Sequence, residues 1–192
     1  MSLRLVAAPA ADLITVADCK PSLRIDAADD TRDAEIEAYR LTAIARLDAG
    51  KSVLNRALLT QTWDWVIDAL PDGDRALRLP LPPCQSVTSV TYVDTAGDSQ
   101  TLTSYRTFGL GDPYGARLKP AYGVTWPATR DEPDAVTIRF VAGYGDLAPA
   151  VPRPIRQAAI GHVVALFDNQ GLDASVPEWC EALLAPYVAA RV

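Results

Sequence analysis

Residues 155–167 read Ile-Arg-Gln-Ala-Ala-Ile-Gly-His-Val-Val-Ala-Leu-Phe, bracketed by Pro152 and Pro154 before and Gly171 after. Proline at the head and glycine beyond the end delimit a helix from about Ile155 to Asp168. Ile155, Ala158, Ala159, His162, Val163 and Leu166 keep core-facing spacing, while Ile160, Val164, Ala165 and Phe167 fill the other side. A helix that is apolar nearly all round has to be covered on more than one face. In a chain of 192 residues, the size of one domain or one domain with an insertion, a neighbouring subunit is one candidate cover.

The remaining elements arrange themselves around that helix in sequence. From about 12 to 58 the pattern is helical. Thr15 followed by Asp18 forms a capping box, and Pro21 is expected to kink or shorten the helix it opens. The acidic stretch Asp26, Asp29, Asp30, Asp33 suits helix capping: Asp29 or Asp30 at the cap, Asp33 in the positive first turn. Ile36, Tyr39, Ala43, Leu47 and Leu54 then lie near one stripe, which predicts a long helix of about 24 residues, weakened near its end by Gly50. From 59 to 148 the chain is β-rich. Trp63, Trp65 and Ile67 alternate with polar residues, as do Val136, Ile138 and Phe140. Leu77 and Leu79 form a short strand before Pro80, and Asp94-Thr-Ala-Gly-Asp98 is a hairpin turn. Gly- and Pro-rich loops are expected at 109–115 and 120–133. Pro177 opens a last short helix containing Trp179, Leu183 and Leu184. The expected fold class is α+β: a helical core from the N-terminal (1–58) and C-terminal (149–192) segments, with an antiparallel β module (59–148) inserted between them as part of a single structural unit.

Motifs for chemistry fail one by one. Gly50-Lys51-Ser52 imitates the end of a phosphate-binding loop, but Ala45 stands where that pattern needs its first glycine. Gly109, Gly111 and Gly115 have the wrong spacing for a dinucleotide loop. The aspartate cluster lacks the central glycine and closing glutamate of a calcium loop. Cys19, Cys84 and Cys180 are far apart and His162 is the lone histidine, so no metal set and no nucleophile–base set can be assembled; a core histidine and a reducing compartment are the simpler reading. The four tryptophans could stack sugars, but their placement favours core packing. Eighteen basic against 24 acidic residues, net −6, give no basic stripe for gripping DNA. The start imitates a signal peptide, but Pro9 and Asp12 cut its apolar run, and no segment is long enough to span a membrane.

Five phrases in order give the chain its one family resemblance: Gln61-Thr-Trp-Asp64; Leu79-Pro-Leu-Pro-Pro-Cys-Gln-Ser-Val-Thr-Ser-Val-Thr-Tyr-Val-Asp94; Tyr122-Gly-Val-Thr-Trp-Pro-Ala-Thr-Arg130; Val136-Thr-Ile-Arg-Phe-Val-Ala-Gly-Tyr-Gly-Asp146; Val151-Pro-Arg-Pro-Ile-Arg-Gln-Ala158. Together they resemble the head–tail connector proteins of tailed bacteriophages and gene transfer particles, also called adaptor or head-completion proteins. The resemblance runs from the Thr15 helix to Leu183-Leu184.

It implies a non-enzymatic neck component of a virion or phage-like particle, assembled in the bacterial cytoplasm. Such proteins form a ring, typically a dodecamer, that joins the capsid portal to the tail and extends the DNA channel. The implied partners are the portal protein, a stopper or tail-terminator protein, and other copies of the chain; a free monomer before portal binding is compatible. DNA passes through the lumen without specific binding, and no cofactor is implied. By the same resemblance the C-terminal segment meets the portal, through Leu183, Leu184, Tyr187 and Val188. Tyr39, Ile160, Val164 and Phe167 are the candidate subunit-interface residues. Two alternatives remain: a tail-side stopper or terminator, and a carbohydrate-binding or hydrolytic module on the tryptophan-bearing β zone.

Overall fold

The computed structural model describes residues 1–50, 52–172 and 175–190, which form two compact units. One comprises residues 1–9 and 60–144, the other 10–59 and 145–190.

The first unit is antiparallel β throughout. Its larger sheet has the order β1-β2-β8-β4-β5, with β1 at Ser2–Ala7, β2 at Gln61–Ile67, β4 at Cys84–Val93, β5 at Ser99–Thr101 and β8 at Val136–Ala142. The smaller sheet, β3-β7-β6, comprises Leu77–Arg78, Arg117–Pro120 and Tyr105–Phe108. The period-2 reading holds: Val136, Ile138, Phe140 and Ala142 are buried while Arg139 between them is exposed. Trp63 and Trp65 are buried on β2, and Trp126 is buried with its indole donating to the Arg75 carbonyl at 2.8 Å. The β4–β5 turn is organised by Asp94, whose Oδ1 accepts from the amides of Ala96 (2.9 Å) and Asp98 (3.0 Å). Strand β1 is an addition to the sequence reading. Residues 2–7 pair with β2 and belong to the β unit, whereas the sequence reading grouped them with the helical part.

The second unit is helical: α1 at Val16–Leu23, α2 at Asp33–Leu47, α3 at Arg153–Asp168 and α4 at Glu178–Leu184. Helix α1 has its capping box, Thr15 Oγ1 accepting from Asp18 N at 3.2 Å and Asp18 Oδ2 from Thr15 N at 2.7 Å. Pro21 stays inside the helix, which ends at Leu23 with Arg24 in the left-handed region (φ 58°). Neither Asp29 nor Asp30 caps α2. Arg32 holds the cap position, and Asp29 instead accepts from the amide and hydroxyl of Thr31.

Helix α2 is also shorter than the stripe to Leu54 suggested. Ala49, Gly50 and Asn55 adopt φ of 50°, 41° and 50°, which no right-handed helix can contain. The Asp48 carboxylate, accepting from Leu58 N at 2.8 Å, folds the following segment back so that Leu54, Ala57, Leu58 and Leu59 are buried without helical structure. Lys51, at the centre of the rejected phosphate-loop pattern, lies outside the described residues. Two buried cations in this unit, Arg40 and Lys20, are paired. Arg40 meets Glu37 (2.6 Å), Asp12 (2.8 Å) and the Ile14 carbonyl (2.9 Å), and Lys20 meets Asp33 (2.7 Å) and the Asp29 carbonyl (2.8 Å).

Asp64 and Arg139 are register partners on β2 and β8 and form a two-pronged pair, both contacts at 2.8 Å. The hydrogen bonds from Arg139 hold the Asp64 carboxyl below its ordinary value. A depressed folded-state pKa contributes stability above the unfolded value, about 4, that is lost as pH falls through the folded value. Asp64→Asn therefore leaves a chain whose urea midpoint falls less between neutral pH and pH ~2 than the parent's, measured by tryptophan fluorescence.

Candidate assembly surface

Helix α3 organises the surface of the helical unit. Ile155, Ala158, Ala159, Gly161, His162, Val163 and Leu166 are buried, whereas Ile160, Val164, Ala165 and Phe167 are half-exposed. Helices α1, α2 and α4 all pack against α3, so the cover demanded by its sequence comes largely from within the chain.

The candidate subunit-interface residues separate into two groups. Tyr39 and Phe167 meet each other, rings edge-to-face at 6.3 Å and 81°, with the Arg32 guanidinium 3.9 Å above the Phe167 ring. The Tyr39 hydroxyl donates to Glu35 at 3.4 Å. These two side chains join α2 to the C-terminal end of α3. Ile160 lies elsewhere, in a surface depression of about 420 Å³ lined by Arg153, Pro154, Arg156, Gln157, Ile160 and Leu183. Val164 is half-exposed one turn further along α3. Leu183, a candidate portal contact, thus shares one depression with Ile160, a candidate subunit contact.

The other portal candidates also divide. Leu184 is fully buried, because α4 turns it inward as a core side chain; as a surface anchor it is corrected. Val188 is exposed and Tyr187 half-exposed. The segment carrying them is fixed to the body of the unit. Arg56 Nε donates to the Tyr187 carbonyl at 2.5 Å, Ala189 N to the Leu54 carbonyl at 2.9 Å and Asn55 Nδ2 to the Ala189 carbonyl at 3.3 Å. Arg191 and Val192 lie outside the described residues.

Trp179 escaped the core reading. It is 52% exposed, with its ring seated against α3 at Gly161, where a Cβ would collide with the indole. The signal in the sequence was the glycine inside an otherwise unbroken apolar helix, which marks a close approach. In the β unit a second depression, about 360 Å³, is lined by Asp74, Arg106, Phe108, Lys119 and the 120–125 turn, where Tyr122 is 97% exposed.

No group of three or more metal-ligating side chains occurs among the described residues, and no helix among them is long and apolar enough to cross a membrane. Burial pushes the thiols of Cys19, Cys84 and Cys180 up to about 11. Thiols so placed are inert. A thiol reagent at pH 8 will label none of the three in the native protein and all three in guanidinium. Gly161→Ala will swing the half-exposed Trp179 ring outward, shift tryptophan emission to the red and cost about 1 kcal/mol of stability in chemical denaturation.

No family model matches the chain, and no curated protein matches it. Solved structures do. A chain described as "Virion of native gene transfer agent (GTA) particle" is 25% identical with a TM-score of 0.79, covering 100% of this chain and 97% of its own. A chain from the "Neck of empty GTA particle computed with C6 symmetry" matches with the same identity, score and coverage. A third, from the "Neck of native GTA particle computed with C12 symmetry", shares the fold at 22% identity and a TM-score of 0.71. The likeness runs the whole length of the chain, so in fold and sequence it is similar to chains solved in gene transfer agent particles, one of them from the neck of the empty particle.

Proposed function

We propose that this protein is a structural, non-catalytic component of the neck of a phage-like particle, forming a ring that joins the capsid portal to the tail and extends the DNA channel. The observation that carries this reading is the end-to-end likeness to a chain of the gene transfer agent virion and a chain from the neck of the empty particle, with 97% of each neighbour's length covered as well as all of this chain. Neck maps computed with C6 and C12 symmetry support a closed ring of copies. A net charge of −6 supports a channel wall that does not hold DNA, since tight binding would need clustered Lys and Arg against the phosphates.

Within that role, the portal-side contact is assigned to the exposed C-terminal side chains Leu183 and Val188 with half-exposed Tyr187. Their backbone is already ordered by Arg56 and Asn55, so little entropy is lost when a partner covers them. The adaptor position next to the portal is preferred to a stopper or terminator position on the outline of the chain, helices from both ends with a β insert between them.

The test is genetic. Cells producing the particle without this chain will accumulate capsids and tails that are not joined, counted by negative-stain electron microscopy. The parent chain supplied in trans will restore joined particles, and Leu183→Asp with Val188→Asp will not. Joined particles at parental numbers in the absence of the chain would refute the neck role.

A further inference from the structure

The two ends of α3 carry opposite and separate surfaces. The first turn contains Arg153 and Arg156 and no acidic residue, and Pro152 at the cap offers no side-chain acceptor. A helix N-terminus is already the positive end of the backbone dipole, so two guanidinium groups there add to a charge that carboxylates would normally offset. Among the described residues neither arginine has an ion-pair partner, and Arg156 Nε is buried without an acceptor. Both arginines line the depression floored by Pro154, Ile160 and Leu183. A donor buried beside an apolar hollow fits a ligand that offers carboxylates and a small apolar surface together.

The other end of α3 offers those groups. Arg32 over Phe167 and Tyr39 against Phe167 fix the start of α2 to the last turn of α3. The connection leading into α2 carries Asp26, Ala27, Ala28, Asp29 and Asp30, all exposed. Its backbone is held by Lys20, which donates to the carbonyls of Ala27 (3.3 Å) and Asp29 (2.8 Å) while its charge is matched by Asp33. The Lys20 charge is matched by Asp33, and the Asp26–Asp30 loop carries the three carboxylates of Asp26, Asp29 and Asp30. The 16 residues of α3 span about 24 Å from Arg153 to the end that carries Phe167.

We propose that the Arg153–Arg156 depression of one copy receives the Asp26–Asp30 loop of the next copy. The inference rests on the ring reading above and names the contact that would build the ring. Carboxylates of the loop meet the two guanidinium groups, and Ala27 and Ala28 cover Pro154 and Ile160, leaving Leu183 at the rim to the portal side. Because the surfaces are different and sit at opposite ends of one helix, the contact is head-to-tail and leaves each copy with one free surface of each kind. Such a contact propagates until rotation closes it into a ring, whereas a surface that paired with itself would stop at a dimer.

Charge reversal tests this. R153E/R156E makes both surfaces acidic, and D26K/D30K makes both basic while leaving Asp29 and the Lys20–Asp33 pair intact. Circular dichroism and thermal melting confirm that each variant folds. Ring formation is measured by sedimentation velocity and negative-stain microscopy with purified portal rings. Each variant alone is expected to lose at least tenfold in ring occupancy. An equimolar mixture of the two recovers rings of alternating copies, and the chain carrying all four changes recovers rings alone. Retained assembly of either single-surface variant, or failure of both rescues, overturns the proposal; loss confined to R153E/R156E without rescue would place the portal, not a second copy, in the depression.

A second measurement needs no portal and so separates failure of this contact from failure of the neck reading. The pair D30C/R153C, oxidised at high protein concentration, gives a disulfide ladder beyond the dimer, and either single variant does not. Monomers alone, or dimers from D30C by itself, contradict the contact.

Discussion

Helix α3 has more apolar circumference than any single neighbour can cover, and the helical unit is built to meet that demand. Helices α1, α2 and α4 each take a sector. Ile155, Ala158, Ala159, His162, Val163 and Leu166 disappear entirely, and Gly161 lets the Trp179 ring lie closer than any other residue would allow. Cover fails at Ile160 and Leu183, and it fails beside two arginines without partners. A surface that is apolar, concave and positively charged at once is poorly matched to water, and is the kind of surface that association removes.

Assembly in a neck asks for rigid surfaces more than for chemistry. Arg40, in the middle of α2, holds Asp12 and the Ile14 carbonyl ahead of α1, Lys20 of α1 holds Asp33 at the start of α2, and Arg56 fixes the C-terminal segment through the Tyr187 carbonyl. Ion pairs of this kind add little net stability, but they hold one geometry, because removing the carboxylates would leave a buried cation without its partner. The β unit is ordered by different means, register pairs such as Asp64–Arg139 and alternating burial along β2 and β8.

What could be read in the sequence was whatever rests on local periodicity and caps. The capping box at Thr15, the alternation in β2 and β8, the hairpin at Asp94 and the bounds of α3 are all short-range and were legible. What could not be read depends on distant partners. Strand β1 has meaning only beside β2, which lies more than fifty residues on, and its two faces are both exposed enough to hide the alternation. Helix α2 stops at Leu47 although the apolar stripe continues, because Asp48 finds Leu58 and the backbone turns left-handed at Ala49. Leu183 and Leu184 read alike in sequence, yet one residue of helical rotation exposes the first and buries the second. Trp179 was read as core because aromatic residues usually are; only the glycine opposite it pointed to a ring lying on the surface of α3.

The central claim is that this chain occupies the neck as a ring, and the most direct measurement is cryo-electron microscopy of the purified protein mixed with its cognate portal ring. The account predicts one additional ring of density stacked on the portal, into which both compact units fit, with each copy presenting its C-terminal segment to the portal. Portal rings without added density, at protein concentrations high enough to saturate a weak site, would contradict it.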